Sequence, residues 1–197
     1  MALKKTTEIP TIDVVLVTIE AGNTSYALDT ASNIAVEPQV EEEDAVKLVV
    51  KGKLKAQKPS VSTLTGNQIT LTDNVFTPEL VKILQGGTIK YWASAEHTTE
   101  SEEETEFGIS SYTPPTVGSG TKGQVFTLSA YSAQYDTSGQ IVQYEKISYP
   151  NCQGVPVAFS SEDGTFRVPE YTINSAPKST ESPYKIEYVN ELPSVTA

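Results

Sequence analysis

The chain is expected to be mainly β: a β-sandwich or curled antiparallel sheet with one short flanking α-helix (Pro78 to Gln85) and long loops. Three observations predict this. β-branched and aromatic residues gather in short extended runs punctuated by Gly, Asn, Asp and Pro, the pattern of strands and turns. Only one stretch, FTPELVKILQGG, carries both the start and the stop signals of a helix. Finally, 197 residues at 38% hydrophobic content suffice for one sizeable core, so a single domain is expected over 1–197.

After an N-terminal arm over 1–10, Ile12 to Ile19 (IDVVLVTI) is almost continuously apolar, which suits a strand covered on both faces. Gly22-Asn23 begins a turn. Ser32 to Val40 reads as a second extended piece, with Pro38 arguing for an edge or a bend. Glu41, Glu42, Glu43 and Asp44 then lead into AVKLVVKGKLKAQK. Alternation there places Lys47, Val49, Lys51, Lys53 and Lys55 on one face and Val46, Leu48, Val50, Gly52, Leu54 and Ala56 on the other. Such a lysine ladder belongs to a solvated or edge face.

Gln68 to Thr72 alternates again, with Ile69 and Leu71 to one side. Gly87 to Ala93 (GTIKYWA) is the next expected strand. Ala95 to Gly123 is polar and holds ESEEETE, Pro114-Pro115 and GSGTKG; it reads as a loop long enough to imply function, ordering by a partner, or mobility. Gln124 to Tyr135 and Gln140 to Tyr149 predict a hairpin around Asp136 to Gly139. Further short strands are expected at Val155 to Ser160, Thr165 to Val168, Tyr171 to Asn174 and Tyr184 to Val189, with Asp163-Gly164 as a hairpin turn. No internal repeat is visible.

The helix is specified at both ends. Thr77 is expected to cap it through its side-chain oxygen, Pro78 occupies the first helical position, and Glu79 complements the positive end of the dipole. Phe76 is placed to staple against Val81, and Gly86-Gly87 permits a left-handed stop. Eight residues are too few for a helix to stand alone. Burying Leu80, Ile83 and Leu84 with Phe76 and Val81 contributes roughly 7 to 15 kcal/mol gross. Ordering eight backbones costs a similar amount, at ~1 to 2 kcal/mol each. The helix is therefore expected only when docked, covering an open side of the sheet.

The charge balance, 14 Lys plus Arg against 25 Asp plus Glu (14 − 25 = −11), disfavours gripping nucleic acid, because that affinity comes largely from cations neutralising phosphates. No apolar run is long enough to cross a bilayer, and MALKKTTEIP lacks the apolar core of a secretion signal; a soluble protein made in the cytoplasm is expected. The sequon Asn23-Thr24-Ser25 is then without consequence. A lone cysteine, Cys152, excludes an internal disulfide and is read as a reduced thiol in or near a strand.

Chemistry is sparse. His97 is the single histidine and has no companion motif for a triad or zinc site. GSGTKG (Gly118 to Gly123) matches G-x-G-x-x-G but precedes a strand rather than opening a helix, so it is not read as a phosphate loop. The clusters Glu41 to Asp44 and Glu102, Glu103, Glu104, Glu106 lack calcium-loop spacing and read as solvated acidic faces. Seven of the ten tyrosines lie between Tyr131 and Tyr188, which strand packing or protein contacts explain. No enzyme, cofactor or metal is expected.

The stretch GNQITLTDNVFTPELVKILQGG, with DAVKLVVKGKLKAQK upstream and EDGTFRVPEYTI and PYKIEYVNELP downstream, resembles the major tail proteins (tail tube proteins) of tailed bacteriophages and related prophage tails, over about Ser32 to Pro193. The resemblance implies a subunit that forms six-membered rings stacked into a hollow tube for DNA ejection. It implies that Thr77 to Gly86 is the flanking helix and that Glu37 to Lys58 is a loop or hairpin reaching toward the neighbouring ring. Implied partners are copies of the chain itself, then tape measure, tail terminator and baseplate or tail-tip proteins, in a virion tail assembled in the host bacterial cytoplasm. Six copies would carry 6 × −11 = −66 formal charges, and DNA would pass an acidic lumen without specific binding. Lys51, Lys53 and Lys55 are expected to meet acidic residues such as Glu102 to Glu106 of an adjacent subunit. Two other readings fit the composition: another virion component (capsid decoration or baseplate protein), and a carbohydrate-binding or adhesive β-sandwich.

Overall fold

The computed structural model describes residues 10–195, so most of the expected N-terminal arm lies outside the described residues. Thirteen strands and one helix follow in order: β1 (Thr11–Ala21), β2 (Thr24–Leu28), β3 (Ala31–Glu43), β4 (Val46–Val50), β5 (Lys53–Lys58), β6 (Val61–Asp73), α1 (Pro78–Gln85), β7 (Thr88–Trp92), β8 (Glu100–Ser101), β9 (Ile109–Thr113), β10 (Phe126–Tyr135), β11 (Ile141–Gly154), β12 (Glu170–Ser175) and β13 (Lys185–Val189). The protein is mainly β, a curled antiparallel sheet with one short helix, as the residue pattern requires.

The main sheet runs β2-β1-β10-β11-β12-β6-β3, with β13 also paired to β11. Its two ends, β2 and β3, are consecutive in the chain across Asp29 and Thr30 alone. A connection that short forces the sheet to curl until its ends meet at one corner. That corner is tied by Thr30 Oγ1, which donates to Asp73 Oδ1 at 2.5 Å, and by the Asn74 N–H donating to Thr30 O at 3.1 Å. β11 is shared: Tyr144 to Ser148 pair with β13 and Cys152 to Gly154 with β12, with Asn151 at φ 49° between the two segments.

The concave face carries the core, where Val17, Ile19, Ile69, Leu71, Leu128, Tyr171 and Ile173 meet the helix residues Leu80, Val81, Ile83 and Leu84. In β1 Leu16 to Ile19 are all buried, but Thr11 to Asp13 are exposed, so double coverage holds only for the second half of the run. In β6 the alternation is as expected, with Ile69 and Leu71 fully buried.

Four expectations are corrected. β2 (TSYAL) is a strand that five residues of mixed pattern did not announce. The segment Ala95 to Gly123 is not wholly loop: β8 and β9 flank β7 in a separate three-stranded sheet, while residues 95–99, 102–108 and the later part with Pro114-Pro115 and GSGTKG are turns and coil. The strands expected at Val155 to Ser160 and Thr165 to Val168 do not form, and Asp163-Gly164 turns without joining strands. There the backbone bonds elsewhere: Val155 N–H donates to Thr172 O and Val157 N–H to Gln85 Oε1, both at 2.9 Å, while Pro156 and Pro169 have no donor for a ladder. Finally, AVKLVVKGKLKAQK is not one alternating strand. Lys51 (φ 51°) and Gly52 (φ 76°) form a two-residue turn, folding it into the β4–β5 hairpin.

Candidate assembly surfaces

The helix is docked as its pattern requires. Leu80, Val81, Ile83 and Leu84 are buried, and Phe76 packs against the same cluster. Thr77 does occupy the N-cap position with extended backbone (φ −117°, ψ 105°), but its hydroxyl makes no capping bond, which corrects the expected role. Pro78 and Glu79 stand where expected. The stop is also different in kind: Gly86 has φ 83° and ψ −163°, a conformation open to glycine but not the left-handed helical one, and its N–H donates to Lys82 O at 2.8 Å.

The far end of α1 is clamped from both sides by glycines. A methyl on Gly154 would stand 2.5 Å from Leu84 Cα, and one on Gly123 would collide with the carbonyl oxygens of Ile83 and Leu84. Gln124 N–H donates to Ile83 O at 2.8 Å, continuing the helix ladder outward. Gln85 bridges two segments, donating to the Tyr112 hydroxyl at 2.9 Å while accepting from Val157 N–H. The glycine that closes GSGTKG is thus required by close approach to a helix end. In sequence, the only hint at Gly154 was a glycine outside any turn dipeptide.

The most conspicuous surface is an arm. β3 and β6 stay paired out to Glu43 and Val61, and the β4–β5 hairpin is nested between them. From Gln39 outward every residue on either strand is exposed as far as Thr65. Val40, Val46, Leu48, Val49, Val50 and Leu54 all stand open to solvent, Val46 at 64%. From Val40 to Val50 the chain covers ~35 Å at ~3.3 Å per residue. A two-stranded ribbon is marginal alone in water, and apolar side chains on both of its faces are unfavourable there.

The expected lysine ladder does not survive the hairpin. Lys51 is in the turn; Lys53 pairs with Val50; Lys55 falls at the bulge between the Leu48–Ala56 and Val49–Leu54 pairs. Strand pairing therefore puts Lys53 on the face of Leu48 and Val50, not opposite them. Among the described residues, Lys47, Lys51, Lys53 and Lys55 make no ion pair within the chain, whereas Lys58 meets Glu43 at 2.6 Å across the arm. Glu41, Glu42 and Asp44 lie at the arm's base, exposed.

Glu102, Glu103, Glu104 and Glu106 are exposed in the β8–β9 connection. Glu104 borders a cleft of about 250 Å³ with Tyr26, Thr77, Glu79 and Tyr91, at the amino end of α1. The connection is moored by Lys90 and Glu100, 3.0 Å apart: the Ser110 hydroxyl, and after it the Lys90 ammonium, hold the Glu100 carboxyl below the usual glutamate range. The structure does not bring these glutamates to the lysines within one chain; they belong to different elements with no strand pairing between them.

Elsewhere, His97 is exposed at a tight turn (φ 54°) beside Trp92, ring centres 5.0 Å apart. Cys152 is fully buried in β11, and burial pushes its thiol up to about 11. Among the described residues no group of three or more His, Cys, Asp or Glu converges on a metal-sized site.

No protein-family description matches the chain, and no curated protein matches it. Among solved structures, it is similar to a chain of the PVC extracellular contractile injection system's sheath-tube complex in the extended state, at 13% identity and TM-score 0.37, covering 92% of this chain and 93% of that one. It is also similar to a chain of the anti-feeding prophage (AFP) baseplate, at 6% identity and TM-score 0.37, covering 96% and 98%. A TM-score of 0.37 falls short of a shared fold. What the geometry defines by itself is a curled β-protein whose open features are a long apolar arm and unpaired sheet edges.

Proposed function

We propose that the chain is a structural subunit that self-assembles, as stacked six-membered rings, into a tail tube of the bacteriophage type. The observation that carries this is the arm: a ribbon with exposed apolar side chains on a protein whose core is otherwise closed by α1. Burying an exposed Val or Leu contributes ~1.5 to 3 kcal/mol, so several per copy at a repeated contact amount to a strong drive to assemble. The sequence resemblance supplies the ring and tube, the virion location, and the tape measure, terminator and baseplate or tail-tip partners. The charge of −11 per copy supplies the rest: DNA passing such a channel meets repulsion and no basic surface to adhere to.

Lys51, Lys53 and Lys55, unpaired among the described residues of one chain, are available to carboxylates of an adjacent copy, and Glu102 to Glu106 are the candidates that the sequence nominates. Exposed pairs contribute ~0 to 1 kcal/mol each, so the effect comes from repetition around a ring. Electron microscopy and sedimentation of the purified full chain test the proposal. Rings or tubes are expected; a monomer at all concentrations, or duplex DNA bound at ordinary ionic strength, overturns it. Labelling confined to capsids or glycan binding by the pure protein would instead favour a decoration protein or an adhesive module.

A further inference from the structure

The fold leaves a second unusual surface at the opposite end of β6 from the arm. Residues 155–169 cross the entry to α1 as coil, and Arg167, the chain's single arginine, lies over two rings there: its guanidinium is 5.4 Å from the centre of Phe76 and 5.7 Å from that of Phe159. The two rings meet edge to face at 5.6 Å, and Arg167 Nη2 donates to Ser161 Oγ at 2.7 Å. This stack fixes an open groove of about 430 Å³ along Pro156 to Ser160 and Arg167 to Glu170. Phe159 is 53% exposed on it, and neighbouring Phe166 is 95% exposed. Of three exposed carboxylates on this stretch, Glu170 lines the groove, and Glu162 and Asp163 lie in the coil between Phe159 and Phe166, where Arg167 is the one positive charge of residues 155–170.

We infer that this aromatic groove is the acceptor for the tip of the arm of a second copy, an inference that rests on the self-assembly proposed above. The two surfaces are complementary. The tip offers Leu48, Val49, Val50 and Leu54 flanked by four lysines without partners, and no carboxylate occurs between Ala45 and Lys58. The groove offers exposed rings flanked by surplus acid, so apolar burial and opposite charge favour the same docking.

Strand register forbids a copy from filling its own groove. Glu170 pairs with Thr72 near the carboxyl end of β6, and eleven residue steps along β6 lead from Thr72 back to Val61, where the arm's outer hairpin has yet to begin. That is about 36 Å of strand, pointing away from the groove. Donor and acceptor are different surfaces at opposite ends of one ladder, so the contact is head-to-tail, and the rotation between copies decides whether its repetition closes a ring or extends a stack.

Crosslinking tests it on the full chain. Protein carrying Leu48→Cys is mixed with protein carrying Phe166→Cys and treated with a short bifunctional maleimide; Val117→Cys, on a fully exposed loop, is the control partner. All three positions are exposed, so folding is undisturbed, and buried Cys152 stays unreactive. Crosslinked dimer is expected from the 48–166 mixture and not from the 48–117 mixture. In parallel, combined Lys51→Glu, Lys53→Glu and Lys55→Glu is expected to abolish assembly, and combined Glu162→Lys, Asp163→Lys and Glu170→Lys to restore it. Assemblies that form without the 48–166 crosslink, or whose loss is rescued by reversal at Glu102 to Glu106 instead, overturn this acceptor and leave self-assembly standing. A chain that remains monomeric and never crosslinks overturns both.

Discussion

Gly154→Ala places a methyl where β11 touches the helix. The new carbon would stand 2.5 Å from Leu84 Cα and 2.7 Å from Leu84 Cδ2. Carbon atoms rest at ~3.5 to 4.0 Å, so about 1 Å of separation must be found. Rotating Leu84 relieves only the clash with its side chain; the clash with its backbone requires the helix axis to shift, and Gly123 blocks retreat on another side. Overpacking of this kind costs ~1 to 3 kcal/mol, and the involvement of backbone argues for the upper half. Alanine recovers ~0.5 to 1 kcal/mol over glycine in a strand, leaving a net loss of roughly 1 to 2.5 kcal/mol. For a chain of this length that lowers Tm by roughly 2 to 10 °C, at ~2 to 4 °C per kcal/mol. Thermal unfolding followed by near-ultraviolet circular dichroism measures it, and adding Leu84→Ala should not restore the loss. A Tm equal to or above that of the parent would refute the account of why glycine is needed.

Three other outcomes are expected. Phe76→Ala removes a ring packed on the core and stacked with Phe159 and Arg167, and should lower stability by ~2 to 3 kcal/mol in denaturant titration, whereas Phe166→Ala, at the exposed ring, should change it by less than ~0.5. Cys152 has its thiol raised by burial from 9.0 to about 11, so the folded state holds that proton longer than the unfolded one; stability is full below about 9 and falls by roughly 2 to 3 kcal/mol as pH rises toward about 11, a loss that Cys152→Ala should remove and that urea midpoints across the alkaline range will detect. Asp136 accepts hydrogen bonds from the Ser138 hydroxyl and from the Ser138 and Gln140 N–H groups, which hold its carboxyl below the ordinary 3.8; the turn it stabilises should persist above that value and loosen as pH falls through the lowered one, seen as lost amide protection at Ser138 and Gln140, and unchanged protection in acid would contradict this.

What could be read in the sequence was whatever short-range chemistry decides. The helix, β6 and the β10–β11 hairpin each carry their own period or punctuation, and Pro38 correctly pointed to an edge, since β3 ends the sheet. The misreadings share a cause. Residues 155–169 have strand-forming composition, but the N–H groups of Val155 and Val157 are claimed by Thr172 and Gln85, partners distant in sequence. Lys51-Gly52 looks like a continuing alternation because a two-residue turn leaves the period of two intact until φ is known. Thr77 has the right identity for a cap and the right position, yet its hydroxyl makes no capping bond. The acceptor groove was invisible because Phe76, Phe159 and Arg167 converge only once the chain has folded over the helix entry.

The nested arm is also a ruler. Because β4 and β5 sit wholly within the β3–β6 pair, matched insertions or deletions on its two strands change reach without rethreading the sheet. One residue on each strand would invert which side chains face which way, while two would preserve it. In a stack joined through this element, the rise from one layer to the next is therefore adjustable in graduations of roughly 6.5 to 7 Å, set by the pleat itself.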